Sequence, residues 1–303
     1  MKALLVRAGI ESRSGVQSPV WGDLSYRYIP DHFKDRKNHK EKRTYKHLEL
    51  EDYVSKSILN KKVILNPEFE TFSYVIQDTA KHPELLSLER DDLLLFCFDG
   101  KMISYPEESG YYIFGYFEVK KLYDWRSLSV AEQKTLRSKL KKNSLLQDAG
   151  KDEKLVIVKG KWTSKQLKSC VLISETINGK SKGNYEASKT MREFIGLDKL
   201  SDKTLQAVIK EEVYLKNLKM LLGIEKPDIK GIEGKIPVSL FARIVRSDRN
   251  LNGKEKEFII GFLISKSGSY LTDAENFGTD VYMGRYKNAD LLEEYFIDFY
   301  YKI

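Results

Sequence analysis

The sequence predicts an α+β fold, a mixed and largely antiparallel sheet with flanking helices, and three observations predict it. Two dense β segments, residues 93–98 and 111–119, flank a loop containing Asp99-Gly100, Tyr105-Pro106 and Gly110, which reads as an antiparallel pair. An apolar segment, residues 3–6, opens the chain as a further strand. Residues 129–146 are rich in the helix formers Ala, Glu, Gln, Leu and Lys and carry Leu136, Leu140 and Leu145 near one face, so a helix should pack on the sheet. The aromatic content of the paired strands leaves a barrel-like base-reading module as one form that the first half could take.

Taken in order, the strand at 3–6 runs into a polar segment, residues 7–15, too rich in Gly and Ser to continue it. Residues 34–47, KDRKNHKEKRTYKH, hold seven Lys or Arg against two acids and read as exposed and mobile. Residues 48–59 look helical, and a short strand at 63–65 ends at Asn66-Pro67, because the residue before proline avoids the helical region. After the pair and the helix, residues 155–158 form a strand closed by Gly160, residues 171–174 another, and Asn178-Gly179 a turn. Residues 187–195 and 201–222 read as helices, the second with Ser201 as its N-cap. Residues 237–245 and 257–264 then read as a hairpin around the polar turn 248–256. A weak boundary at 148–152 suggests an N-terminal domain, 1–150, carrying the functional site and a C-terminal α+β domain, 151–303, with one continuous domain as the alternative.

With 303 residues, 41% of them hydrophobic, the chain can bury a sizeable core, which argues against disorder. The 52 Lys and Arg exceed the 44 Asp and Glu by enough to give +8, and a polyanionic partner suits that charge. Cys97 and Cys170 lie in apolar stretches, form no CxxC pair and read as buried thiols. The first residues lack the long apolar region of a signal peptide, and no segment approaches the roughly 18 to 20 apolar residues of a membrane span. A cytoplasmic location without membrane attachment is the expectation.

Four groups of residues could carry chemistry. In the loop after the first strand, Gly9 and Gly15 permit unusual dihedrals, and Arg7 and Arg13 could hold a phosphate or carboxylate; the loop is neither a Walker A nor a GxGxxG fingerprint. In the basic run, Lys37, Lys40, Lys42 and Arg43 have the charge for phosphate contacts and Tyr45 the ring for stacking on a base; a solvated loop is the plainer reading. His32, His39 and His47 have no ligand spacing, so no metal is assigned. Phe96, Phe98, Tyr111, Tyr112, Phe114, Tyr116 and Phe117 suit either the wall of a base pocket or a core, and alternation favours the core. Asp99 with Glu118-Val119-Lys120 imitates the carboxylate and ExK arrangement of a metal-dependent nuclease. No G-x-S-x-G, HExxH or Cys-His arrangement is present.

The stretch Leu4-Leu-Val-Arg-Ala-Gly-Ile-Glu-Ser-Arg-Ser-Gly-Val-Gln-Ser-Pro-Val20, followed by Tyr28-Ile-Pro30, resembles the opening of the third type of nucleotide modification associated domain. That family begins with a strand, an Arg-x-Gly-hydrophobic-acid-Ser loop, a Gly and then Ser-Pro-hydrophobic. Asn66-Pro67, the strands 92–96 and 112–117, and Leu155-Val-Ile-Val-Lys-Gly160 leading to Leu172-Ile-Ser-Glu175 extend the likeness over most of the chain. Glu11 stands where the family usually has Asp, and Asn66 where a His-x-Asp-Pro-like segment is common.

The resemblance implies a part in modifying, or recognising modified, bases in phage or bacterial DNA, and it makes Arg7, Gly9, Glu11, Ser12, Gly15, Ser18 and Pro19 the preferred site. Two readings follow. A nucleic-acid or nucleotide binder would read bases with the aromatic strands of residues 92–119 and hold the backbone with the basic run, while Arg7 binds an anionic group and Glu11 and Ser12 contact the ligand's polar edge. An enzyme would use Glu11 or Ser12 as the catalytic group, with Glu11 orienting or deprotonating the substrate. Neither reading names a cofactor.

Overall fold

A computed structural model of the chain describes residues 1–10, 15–21, 24–34, 39–77, 83–103, 109–176, 185–197 and 207–226, with the single residues 200 and 240. Its centre is the antiparallel pair β6 (Leu93–Met102) and β7 (Ser109–Asp124), which runs from Leu93 opposite Glu118 to Lys101 opposite Ser109 with a register shift between Phe96 and Cys97. Both strands are buried along nearly all of the ladder, as suits apolar runs covered on both faces.

One edge of β6 carries two strands in turn. β1 (Ala3–Arg7) lies parallel to it, from Ala3 opposite Leu93 to Arg7 opposite Cys97, and β2 (Ser18–Val20) resumes the same parallel pairing with Ser18 opposite Gly100. The far edge of β7 is treated alike: β8 (Leu155–Gly160) pairs with its last residues and β9 (Lys165–Leu172) with its middle, joined by the turn 161–164. Outside these lie β12 (Ala207–Ile209), antiparallel to β1, and β5 (Ser73–Gln77), antiparallel to β8. The eight-stranded sheet is therefore open at β12 and β5, and the barrel option is not adopted among the described residues. Two small pairs stand apart, β3 (Asp31–His32) with β4 (Val63–Ile64) and β10 (Ser174–Thr176) with β11 (Tyr185–Ala187).

Of the helices, α1 (Pro83–Leu86) is a single turn, α2 (Val130–Lys139) and α3 (Ser144–Asp148) follow β7, and α4 (Lys189–Ile195) and α5 (Glu212–Leu222) pack against each other. None of the described helices is long and apolar enough to cross a membrane. The main core joins Phe96, Phe98, Phe114 and Phe117 to the apolar faces of α4 and α5. A second cluster sets Leu136, Leu140 and Leu146 against Trp125, Val75 and Ile157. A third, built from Ile10, Val16, Ile29, Tyr45, Leu50, Val54 and Val63, sits beside the N-terminal loop.

Several elements differ from the sequence expectation. Residues 48–59 are turns: a 3-10 segment (Lys46–Leu48) stops where Glu49 enters the left-handed region at φ 55°. The helix at 129–146 is two helices. A Ser129–Glu132 capping box starts α2, and Asn143 restarts the chain by capping α3 while its Nδ2 donates to the carbonyl and hydroxyl of Ser73 at 3.2 Å. The helix expected at 201–222 begins only at Glu212, since 207–209 is drawn into the sheet against β1; Ser201 lies outside the described residues. So do the turn at 178–179 and the hairpin at 237–245 and 257–264. The eight-stranded sheet takes strands from both sides of 148–152, with β8, β9 and β12 joining β1, β2, β5, β6 and β7. Cys97 and Cys170 are buried thiols outside any disulfide.

Candidate functional site

Between β1 and β2 the chain leaves the edge of β6 and returns to it. The two attachment points on β6, Cys97 and Gly100, are three positions apart, whereas the loop that joins them runs from residue 8 to 17. Residues 8–10 leave the sheet and residues 15–17 rejoin it at the end of β1, where Arg7 sits. Ile10 and Val16 anchor the loop in the third cluster. Gly9 is required there: its φ is +85°, and a Cβ would lie 2.7 Å from both the Ile29 carbonyl oxygen and the Tyr28 ring. Gly15 also takes a positive φ, +75°. The Ala8 and Ile10 amides donate to the carbonyls of Cys97 (2.7 Å) and Ile29 (3.1 Å) and so are committed to the fold. Ser18 is buried, accepting from the Ile29 amide at 3.0 Å, which makes it a loop anchor. Glu11, Ser12 and Arg13 lie outside the described residues.

Around Arg7 the sheet gathers polar groups that the sequence keeps far apart. Asp99, only 2% exposed, receives the Gln17 Nε2 at 2.6 Å, and the same amide nitrogen donates to the Tyr185 hydroxyl at 3.1 Å. The Gln17 carbonyl oxygen accepts from Ser109 Oγ at 3.3 Å. The Tyr185 ring meets Tyr111 edge-on at 5.0 Å, and the guanidinium carbon of Arg7 lies 6.0 Å from the centre of the Tyr111 ring. The Tyr111 amide donates to Ser174 Oγ at 2.7 Å. Arg7 Nη2 is buried and has no hydrogen-bond partner among the described residues.

The electrostatics follow from this crowding. Burial first, and then the Asp99 charge, pushes the Tyr185 phenol up to about 12, which keeps its proton at neutral pH. Burial pushes the Cys97 thiol well above its ordinary value, with Arg7 opposing and Asp99 reinforcing, so one thiol feels both the cation and the carboxylate. Gln17, Asp99, Ser109 and Tyr185 hold one another in place. Among the described residues the Arg7 guanidinium keeps a buried nitrogen without an acceptor, and it is a planar donor suited to phosphate, carboxylate or a base carbonyl.

Sequence reasoning found Arg7 and Asp99 but missed Gln17, Ser109, Tyr111 as part of the site, and Tyr185. Gln17 had a weak signal, its place directly before Ser18-Pro19; Tyr185 had none.

The other candidate groups lie elsewhere. The nuclease arrangement is not formed: Asp99 pairs opposite Tyr111 at one end of the β6–β7 ladder and Glu118 opposite Leu93 at the other, roughly 20 Å away at about 3.4 Å per residue. Glu118 is instead bound to Lys161 and to Thr163 Oγ1 (2.6 Å). Phe96, Phe98, Tyr111, Tyr112, Phe114, Tyr116 and Phe117 are all buried in the main core.

The described part of the basic run is folded in rather than loose. The Lys40 amide donates to Asp148 and its Nζ to the Gln147 carbonyl, both at 2.9 Å, and His39 meets Asp148 at 2.8 Å. The Arg43 fork grips Glu41 at 2.9 and 2.8 Å. Tyr45 is fully buried at the centre of the third cluster and donates to the Pro30 carbonyl at 2.9 Å, so its ring is not presented to a base. Lys42 is exposed, and Lys37 lies outside the described residues.

No curated protein and no solved structure matches this sequence significantly. The model of the family described as nucleotide modification associated domain 3 matches residues 2–212, well over half of the chain and the whole described sheet from β1 to β12. With that match over a loop whose ends are built into the sheet around Arg7, the chain belongs to the nucleotide modification associated domain 3 family.

Proposed function

We propose that the chain binds a nucleotide, free or within nucleic acid, with Arg7 as the anion-recognising group and the 8–17 loop carrying Glu11, Ser12 and Arg13 to the ligand's polar edge. The observation that carries this reading is the buried Arg7 Nη2. A guanidinium nitrogen withdrawn from water and lacking an acceptor costs free energy, and an incoming phosphate or base carbonyl offsets that cost. The family description, nucleotide modification, and the net charge of +8 support a nucleotide over an acidic metabolite. DNA is the polymer that the reading names first, with modified bases as its preferred targets.

The experiment is calorimetric titration of the parent, Arg7→Ala and Glu11→Gln with deoxynucleotides and with modified and plain DNA, after each variant has passed a thermal melt. Arg7→Ala should weaken binding at least about tenfold, the range of a lost hydrogen bond to a charged group. If it melts lower but binds as the parent does, Arg7 is a brace for the loop and the proposal fails. An enzymatic version of the same site has one supporting observation, the buried Asp99 carboxylate and protonated Tyr185 joined through Gln17 beside Arg7. It requires that Glu11→Gln or Asp99→Asn abolish conversion of a base while leaving binding intact.

A further inference from the structure

At the end of the sheet away from Arg7, the turn joining β8 to β9 presents an indole to solvent. Trp162 is 87% exposed, the most exposed large apolar side chain among the described residues. The backbone beneath it is pinned on every side. The Lys161 amide donates to the Glu118 carbonyl at 2.7 Å, the Ser164 amide closes the turn onto the Lys161 carbonyl at 3.1 Å, and the Glu118 amide donates to Ser164 Oγ at 3.1 Å. Lys161 bridges Asp91 and Glu118, and Thr163 Oγ1 takes the other Glu118 oxygen at 2.6 Å. Trp162 thus occupies the second position of a rigid tight turn and has no role in the core.

The surroundings are cationic. Lys120 and Lys121 on β7 and Lys165 on β9 are exposed around the turn, while the nearby carboxylates, Asp91 and Glu118, are already held by Lys161. Lys159 beside them is held below its ordinary value, by burial first and then by the charge of Lys120, as expected where lysines crowd. A rigid aromatic ring amid exposed lysines, of which Lys121 also lies 4.9 Å from the centre of the Tyr123 ring, is the combination that reads single strands: the ring stacks on any base, and the cations follow the phosphates.

We propose that this turn is a docking point for single-stranded nucleic acid, in which Trp162 stacks on an unpaired base and Lys120, Lys121 and Lys165 contact the flanking phosphates. The site is separate from that of Arg7, lying roughly 20 Å along β7 from Tyr111.

The test is fluorescence titration of the full-length chain with oligothymidylate, with a duplex of equal length, and with vesicles of phosphatidylserine and phosphatidylcholine. Trp125 is fully buried and Trp21 half-buried against Tyr53, so the Trp162→Phe variant is what assigns a change on binding to the exposed indole. Oligothymidylate should quench the parent, Trp162→Ala should bind it about tenfold more weakly, and Trp162→Phe should retain most of the affinity. Changing Lys120 and Lys121 to Gln should flatten the log–log salt slope by about 1.4. Free deoxynucleotides should titrate Trp162→Ala as they do the parent, which separates failure here from failure of the nucleotide site. The proposal is overturned if a folded Trp162→Ala binds oligothymidylate as the parent does, if duplex binds as well as single strand and ignores the indole, or if only vesicles shift the fluorescence.

Discussion

At the Glu118 end of the β6–β7 ladder, Lys161 bridges Asp91 and Glu118, and Thr163 fills the second oxygen of Glu118. At the Asp99 end, where Tyr111 stands opposite on β7, Gln17 and Tyr185 brace the carboxylate, but one nitrogen of Arg7 is buried with no acceptor among the described residues. The residue types are similar, so composition does not separate the two ends. What separates them is satisfaction of the polar atoms: a closed network fixes geometry, and an open one awaits a partner.

The contrast breaks most visibly if the aromatic wall between the two ends is a ligand surface rather than core. Phe96 is fully buried against Phe117 and Phe114, so Phe96→Ala should cost about 3 to 5 kcal/mol in urea unfolding. A near-neutral variant with altered ligand binding would mean that the wall is a pocket. Next in size, Gln17→Ala removes one donor from a buried carboxylate and should lower stability by about 1 to 3 kcal/mol while also weakening nucleotide binding. An effect on stability alone would move the open site away from Gln17.

The closed end should show itself in acid. Lys161 holds the Asp91 carboxyl below its ordinary value; at Glu118 burial pushes upward, but the bonds from Lys161 and Thr163 outweigh it and the net shift is downward. Carboxyls depressed in the fold contribute stability that is complete above about pH 5 and lost as pH falls through their folded values, because their unfolded values lie near 3.9 and 4.3. Lys161 is raised by the same bonds, so its share is present below about 10.4 and lost as pH rises beyond its folded value. Glu118→Gln should flatten the acid limb of a melting-temperature profile and leave nucleotide affinity unchanged; a loss of affinity would show the two ends to be coupled. The smallest effect concerns Lys42, which is exposed. Lys42→Ala should change stability by less than about 0.5 kcal/mol, and a fall of about 0.9 in the DNA salt slope would show that this lysine contacts phosphate.

Much of the sheet was legible because its strands are locally consistent: residues 93–98 and 111–119 carry the β-forming apolar runs and the turn residues between them, and they pair as read. Elements set by distant partners were not. Asn143 breaks an otherwise continuous helical pattern because Ser73 is there to receive its amide, and 207–209 extends because β1 offers an open edge. The site divides in the same way. Arg7 stood out for its place at a strand end before glycines, and Asp99 for its place in a turn signal, yet nothing local says that they share a thiol's surroundings. Tyr45 misled for the opposite reason: a tyrosine amid lysines looks exposed until Pro30 and the third cluster enclose it.

The parallel seam between β1 and β6 also sets an order of assembly. Leu93 pairs with Glu118 through a nearby hairpin, but Ala3 must wait for Leu93, and the outer edge of β1 must wait for Ile209. During synthesis at about 5 to 20 residues per second, the first strand therefore spends on the order of ten seconds as an unpaired apolar segment before its acceptor strand exists. The Arg7 end therefore cannot form until β6 has been made, and Tyr185, which bonds Gln17 there, is made later still.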